Sequence, residues 1–344
     1  MKKSILVAAV VLACVAVPLA LQQWRLQVTG VSANLRGVSA PSASVVWASG
    51  SGSTILRSET GGDGWARIPP PSKDDLDFRD IDAITDSMAY LLSIGNGAQS
   101  RIYKTTDAGK TWTLQFTNDN PKAFFDAMSF WDADRGLAIS DSVAGQFVII
   151  ATEDGGKTWT RIPPDRLPAA LPGEGAFAAS GTNIAMWGPD HVWIGTGAST
   201  KARVLRSMDR GKTWQIAETP LAASQNQGIY SIAFRDAQHG VVVGGDWSKV
   251  REAVDNAAIT SDGGATWTLV KGLGGFRSLV AYVPGTEASF LAVGPSGADL
   301  TRDGGTTWTP IEGPGFHTFT FVPGQPMGWA AGSRGRVATL TIPK

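Results

Sequence analysis

One octapeptide pattern returns along the chain and constrains everything else. Ser/Thr-x-Asp-x-Gly-x-Thr-Trp occupies residues 105–112, 152–159, 207–214, 260–267 and 301–308. A sixth copy, residues 58–65, has Thr60 where the others carry Asp107, Asp154, Asp209, Asp262 and Asp303. The closing tryptophans are Trp65, Trp112, Trp159, Trp214, Trp267 and Trp308, spaced by 41 to 55 residues. A self-similar period of that length marks blades or arrays of one supersecondary unit. Apolar strands run into each copy and alternating strands leave it, so the Asp-x-Gly core reads as a hairpin turn. Gly supplies φ > 0 there and Asp accepts hydrogen bonds from turn amides. One carboxylate per distant turn cannot build an oxygen cage, so these aspartates are expected to be structural and no metal is expected at them.

Each unit shows four strands. In the second they are expected at 78–83, 89–94, 101–104 and 112–116. Full units are expected at about 35–68, 78–117, 124–163, 176–218, 229–271 and 276–312. A seventh, 316–343, lacks a Trp-led fourth strand. Trp24-Arg25-Leu26-Gln27-Val28 matches the missing strand in type and alternation. The expectation is an all-β, seven-bladed β-propeller of four-stranded antiparallel blades, its ring closed by residues 24–28 pairing onto the last unit. Closure removes the sheet edges that an open array exposes.

Residues 1–20 read as a signal peptide and 21–344 as a single propeller domain. Lys2 and Lys3 precede an apolar run from Ile5 to Leu21, the anatomy of an export signal. Its 17 residues also meet the lower limit for an uncleaved anchor, the only route to a membrane that the sequence offers. Cys14, the single cysteine of the 344 residues, falls inside this segment. That excludes a disulfide scaffold and a zinc-cysteine site. Lys+Arg and Asp+Glu balance at 30 each, so no charge excess points to nucleic acid. Gly195-Thr196-Gly197 lacks the third glycine of a dinucleotide loop, and His191, His239 and His317 lie in separate units without ligand spacing. No cofactor is expected. The expected location is periplasmic or secreted, as a monomer.

The repeated box resembles the Asp-box of the bacterial-neuraminidase-repeat superfamily. Its extended form, carried by Trp47 to Ser58 and again by Trp329 to Val337, is similar to that of the photosystem II assembly and stability factor-like group. The resemblance covers about residues 24–343. It implies a propeller of the general WD40/YVTN-like kind that binds a protein partner, here expected in the cell envelope. The same superfamily implies an alternative, a sialidase-like glycoside hydrolase. Such an enzyme needs three arginines for a carboxylate, a Tyr/Glu nucleophile pair and an acidic proton shuttle. Arg36, Arg79, Arg277, Tyr230, Glu174 and Asp126 are the right types, but the Phe-Arg-Ile-Pro start of those enzymes is absent and their blade count is six.

Aligning the seven inner strands places Arg36, Arg79, Phe125, Phe177, Tyr230, Arg277 and His317 at one register. A polar, anion-accepting ring at the channel mouth is the expectation that follows, with Glu174 on the loop into unit four. Two insertions, 165–175 and 246–257, lengthen their units. Additions to a repeat tend to mark its working face, which brings Trp247 into the candidate contact surface.

Overall fold

The computed structural model describes residues 23–343. Its strands form seven four-stranded antiparallel sheets, each built from consecutive hairpins except the last. Blade 1 comprises Leu35–Ser39, Val46–Gly50, Thr54–Ser58 and Ala66–Arg67, and blade 2 comprises Asp77–Ala83, Ala89–Ile94, Arg101–Thr105 and Thr113–Thr117. Blade 7 comprises Thr318–Phe321, Met327–Ala331 and Val337–Thr341, completed by Arg25–Gln27. That closing strand pairs Arg25, Leu26 and Gln27 with Thr339, Ala338 and Val337. Trp24 is buried beside it, its ring 4.7 Å from Phe316 and 6.1 Å from Phe319. The expected ring and its closure by the first strand are both present. Among the described residues only three short 3-10 turns interrupt the all-β architecture. The expected export segment lies outside them.

The repeated turn is built as its residue types require. In the second blade Thr105 Oγ1 accepts from the Gly109 amide at 2.9 Å and donates to Asp107 at 2.9 Å. Asp107 in turn accepts from the Thr111 amide at 2.9 Å and the Thr111 hydroxyl at 2.6 Å. Asp154, Asp209, Asp262 and Asp303 repeat the bonds to Thr158, Thr213, Thr266 and Thr307. These bonds hold Asp107 down at about 2, the Thr111 hydroxyl and amide being the largest causes. Blade 1, without the Asp, keeps the inner half of the turn through Ser58 and the Gly62 amide.

The tryptophan that ends each turn works between blades. Trp112 of blade 2 meets Trp47 of blade 1 edge-on at 6.1 Å. Trp159 of blade 3 packs on Phe130, whose other face stacks on Tyr90 of blade 2 at 3.8 Å. Trp267 of blade 5 packs on Phe234, which stacks on Trp193 of blade 4 at 3.6 Å. Aromatic pairs of this kind contribute about 0.5–1.5 kcal/mol beyond burial, so the repeat carries its own inter-blade packing.

Blade 4 departs from the expectation. Its inner strand begins at Ile184–Trp187 and not at 176. Residues 176–182 leave the sheet and touch the inner part of every other blade. Ala179 and Ala178 carbonyls accept from Arg36 of blade 1 and Arg79 of blade 2. The Ala178 amide also lies near the Asp126 carboxyl of blade 3 and favours its charged form. Phe177 stacks on Tyr230 of blade 5 at 3.8 Å, Ser180 donates to the Ser278 carbonyl of blade 6 at 2.7 Å, and Thr318 of blade 7 donates to the Ser180 carbonyl at 3.3 Å. A segment in contact with all six remaining blades lies across the channel.

Candidate functional site at the channel mouth

Four inner strands carry a β-bulge at the same place. The register skips one residue between Leu35 and Gly37, Phe78 and Asp80, Phe125 and Ala127, and Ile229 and Ser231. The bulged residues are therefore Arg36, Arg79, Asp126 and Tyr230. A bulge re-aims one side chain and leaves its neighbours in the ladder. Phe125, expected at the mouth, is instead packed between blades against Phe116, and Asp126 takes the bulged position of blade 3.

A cavity of about 460 Å³ opens at the mouth. Arg36, Arg79, His317, Tyr230 and Trp247 all line it, with Phe177, Phe276 and Val250. Its floor is the backbone of Ala178 and Ala179. Trp247, 55% exposed, stands at the rim on the 246–257 insertion. The insertion is held in place there because the Val250 carbonyl accepts from the Phe276 amide at 3.1 Å and the Ser296 hydroxyl at 2.9 Å.

The charge of the cavity comes from its two arginines. Arg79 shares Nε with Asp77 at 2.9 Å. Arg36 has no carboxylate partner, and its Nε is buried without an acceptor. Burial, then the neighbouring Arg79 charge, lowers Arg36 to about 10, with Asp77 partly opposing. It remains a cation at neutral pH. His317 donates nothing to that charge. Burial and the Arg36, Arg79 and Arg336 charges push it down to about 3, and its Nε2 pairs with the Ser333 hydroxyl at 2.7 Å. Tyr230 is raised by burial and then by Asp246, and its hydroxyl donates to the Asn226 carbonyl at 3.0 Å. No carboxylate lines the cavity.

The remaining sequence candidates lie elsewhere. Arg277 is buried in blade 6, with Nε 2.7 Å from Asp299 and its other nitrogens on Phe276 and Gly274 carbonyls and the Ser296 hydroxyl. Glu174 is buried in a two-point ion pair with Arg203 and accepts from the Thr196 hydroxyl and the Leu171 amide. Asp126 is buried beside Asp141. The single-register ring is therefore divided: two arginines, a tyrosine and a histidine face the mouth, and one arginine and both carboxylates are engaged within or between blades. Sequence reasoning missed Asp141 and the aromatic Phe276. The signal that finds Asp141 is the single charged residue in the second strand, Gly136–Val143.

No family model and no curated protein matches this chain. Solved structures do match. One described as "YCF48 bound to D1 peptide" superposes with a TM-score of 0.66 at 16% identity, covering 93% of this chain and 97% of that one. YCF48 from Cyanidioschyzon merolae gives 0.63 at 16% identity, covering 92% and 98%. U3-55K gives 0.64 at 12% identity, covering 93% and 98%. At these identities the likeness is one of fold, the propeller architecture that this chain shares with them.

Proposed function

We propose that the protein is a non-catalytic interaction platform whose channel mouth takes an acidic segment of a protein partner. One observation carries this reading. Two guanidinium groups converge on an aromatic-walled cavity with no carboxylate in its lining, and the one acid beside them, Asp77, pairs with Arg79 and leaves Arg36 without a partner. A carboxylate entering there gains charge-assisted hydrogen bonds from Arg36 and Arg79, while Phe177, Tyr230 and Trp247 offer faces to an apolar or aromatic neighbour. That YCF48 is described with a bound peptide supports a propeller of this shape as a peptide receptor. In the finer form of the reading, the chain is an Asp-box repeat protein similar to the photosystem II factor-like group. Residues 1–20 direct export, 21–344 work as one monomeric domain, and the partner belongs to an envelope complex whose assembly or stability it serves.

The sialidase-like alternative needs an acid and a nucleophile pair in one pocket. Glu174 and Asp126, its two carboxylates, stand outside the cavity lining. The discriminating experiment is a photo-crosslinker placed at Trp247 in the exporting cell. A discrete envelope-protein adduct that disappears with Arg36→Glu and Arg79→Glu is the expected result. Hydrolysis of an aryl sialoside that is lost with Tyr230→Phe, without any adduct, would establish the enzyme instead.

A further inference from the structure

The segment 176–182 forms the floor of the mouth, yet it belongs to no sheet. Its sequence, Ala-Phe-Ala-Ala-Ser-Gly-Thr, contains no charged side chain. Its position must be imposed by what surrounds it. Blade 3 supplies two carboxyls at its N-terminal end, Asp126 buried and Asp141 half-buried. Asp141 lies against Gly175 so closely that a Cβ there would overlap its carboxylate, and the neighbouring Ala176 amide favours its charged form. Asp126 is buried near the Ala178 amide, which favours its charged form, and its Oδ2 has no partner. At the far end, Gly181 sits at φ +72 against the Asp80 carboxylate, which also accepts from the Met128 amide at 2.8 Å.

We infer that residues 176–182 are a plug that assembles the mouth into a binding site, and that Asp126 and Asp141 are the positioning residues that hold it. The inference rests on the mouth being the binding site. The plug fixes Phe177 against Tyr230, and its two carbonyls orient Arg79 and Arg36. Two adjacent carboxylates in a buried site cannot both ionise cheaply, so the pair retains a proton. Burial raises both, and Asp141 adds to the rise at Asp126 while Arg79 opposes it. The other charged groups around the plug are Arg36 from blade 1, Asp80 from blade 2, and the Glu174–Arg203 ion pair behind Gly175. Blades 5, 6 and 7 present Ser231, Ser278 and Thr318, with His317 neutral beside them. Losing the shared proton sets two like charges beneath the plug and loosens it.

The test is hydrogen exchange of the full chain by mass spectrometry, corrected for intrinsic rates, reading the peptide that spans 176–182. On the same samples, binding of a fluorescein-labelled glutamate-phenylalanine hexapeptide is measured by anisotropy. The wild type should keep the plug protected at pH 5 and lose at least tenfold protection as pH is raised to 9, with the strands of other blades unchanged. Asp141→Ala should lose about tenfold at every pH and weaken the peptide by a similar factor. Asp141→Asn retains an acceptor for the Ala176 amide without the charge, so it should restore both and abolish the pH dependence. Gly175→Ala, which displaces the Asp141 carboxylate, should mimic Asp141→Ala and serves if that variant does not fold. A plug as protected in Asp141→Ala and Gly175→Ala as in the wild type overturns the inference, as does wild-type protection that is flat with pH. A plug that responds as expected in a protein that never binds the peptide overturns the mouth reading and leaves the positioning roles standing.

Discussion

Arg277, Glu174 and Arg36 have different energetic positions, although all three were candidates for one ring. Arg277 is buried with every partner on its own blade, and Asp299 meets it through Oδ2 while its Oδ1 has no partner. Removing one member of a buried ion pair strands the other charge and costs about 3–5 kcal/mol. Arg277→Met should therefore lower the urea midpoint sharply, and Arg277→Met/Asp299→Leu should recover most of the loss. An Arg277→Met protein as stable as the wild type would exclude the buried pair. Arg36 is the reverse case, a half-buried cation with no ion-pair partner, lowered by burial and by Arg79 and only partly offset by Asp77. Holding it there costs stability, as groups kept for binding often do. Arg36→Met should leave the urea midpoint unchanged or raised while peptide binding falls at least tenfold. A clear loss of stability in Arg36→Met would make it a structural residue. Gly181 shows the same logic in the backbone. Its positive φ and the Asp80 carboxylate both exclude a side chain, so Gly181→Ala should destabilise by about 1–3 kcal/mol.

The closing strand is only three residues long, yet it joins the two ends of the ring. Its hold comes chiefly from Trp24, which fills the blade 7 core against Phe316, Phe319 and Gly313. Trp-to-Ala changes in a core cost about 3–5 kcal/mol, so Trp24→Ala should lower the melting temperature by several degrees and expose the edge of Val337–Thr341. Calorimetry with light scattering reads both effects, and an unchanged transition would show that the ring does not depend on this strand. This element was legible in the sequence because Trp24 to Val28 repeats the type and alternation of the other outer strands. The other outer strands were legible because each follows a turn whose residues bond to one another. Blade 4's inner strand was not legible. Residues 176–182 are small and apolar enough to be a strand, and what draws them out of the sheet is contact with six other blades. The bulges were illegible for a related reason. One extra residue breaks the period of two, so aligning Phe125 with Arg36 chose the residue that the bulge turns toward the core, and Asp126 became visible only through Ala127 pairing with Ile139.

Over the whole molecule, the arginines of the mouth stand above a set of buried acids. Asp82 and Asp141 are each raised to about 6, foremost by burial, and Asp80 and Asp126 are raised well above the usual carboxylate range by burial, with a neighbouring carboxyl adding to it. All four release their protons at higher pH in the folded chain than in the unfolded one, where release is near pH 3.9, and Asp82 and Asp141 do so by about pH 6. The folded state then binds more protons than the unfolded one, and stability falls as pH rises. His317 acts the other way. At about 3 when folded and about 6.5 when unfolded, it favours the folded state increasingly as pH rises through that window. It is one group against four, and its effect ends near pH 6.5. The turn aspartates do not enter above pH 4. Asp107 and Asp262 are held at about 2, and the stability they give is lost only as pH falls toward that value. The sum is a molecule most stable in mild acid. Its melting temperature should fall between pH 5 and pH 8, each retained proton contributing a slope of about 1.4 kcal/mol per pH unit before relaxation reduces it. Asp82→Asn separates this effect from general acid behaviour. Asn keeps an oxygen for the Phe130 amide, which Asp82 now binds at 3.1 Å, and removes the charge. That variant should gain stability at pH 8, gain little at pH 4, and show a shallower slope between them. A melting temperature that is level or rising from pH 5 to pH 8 would mean that the buried acids are ionised without cost, and that the plug rests on ordinary carboxylates.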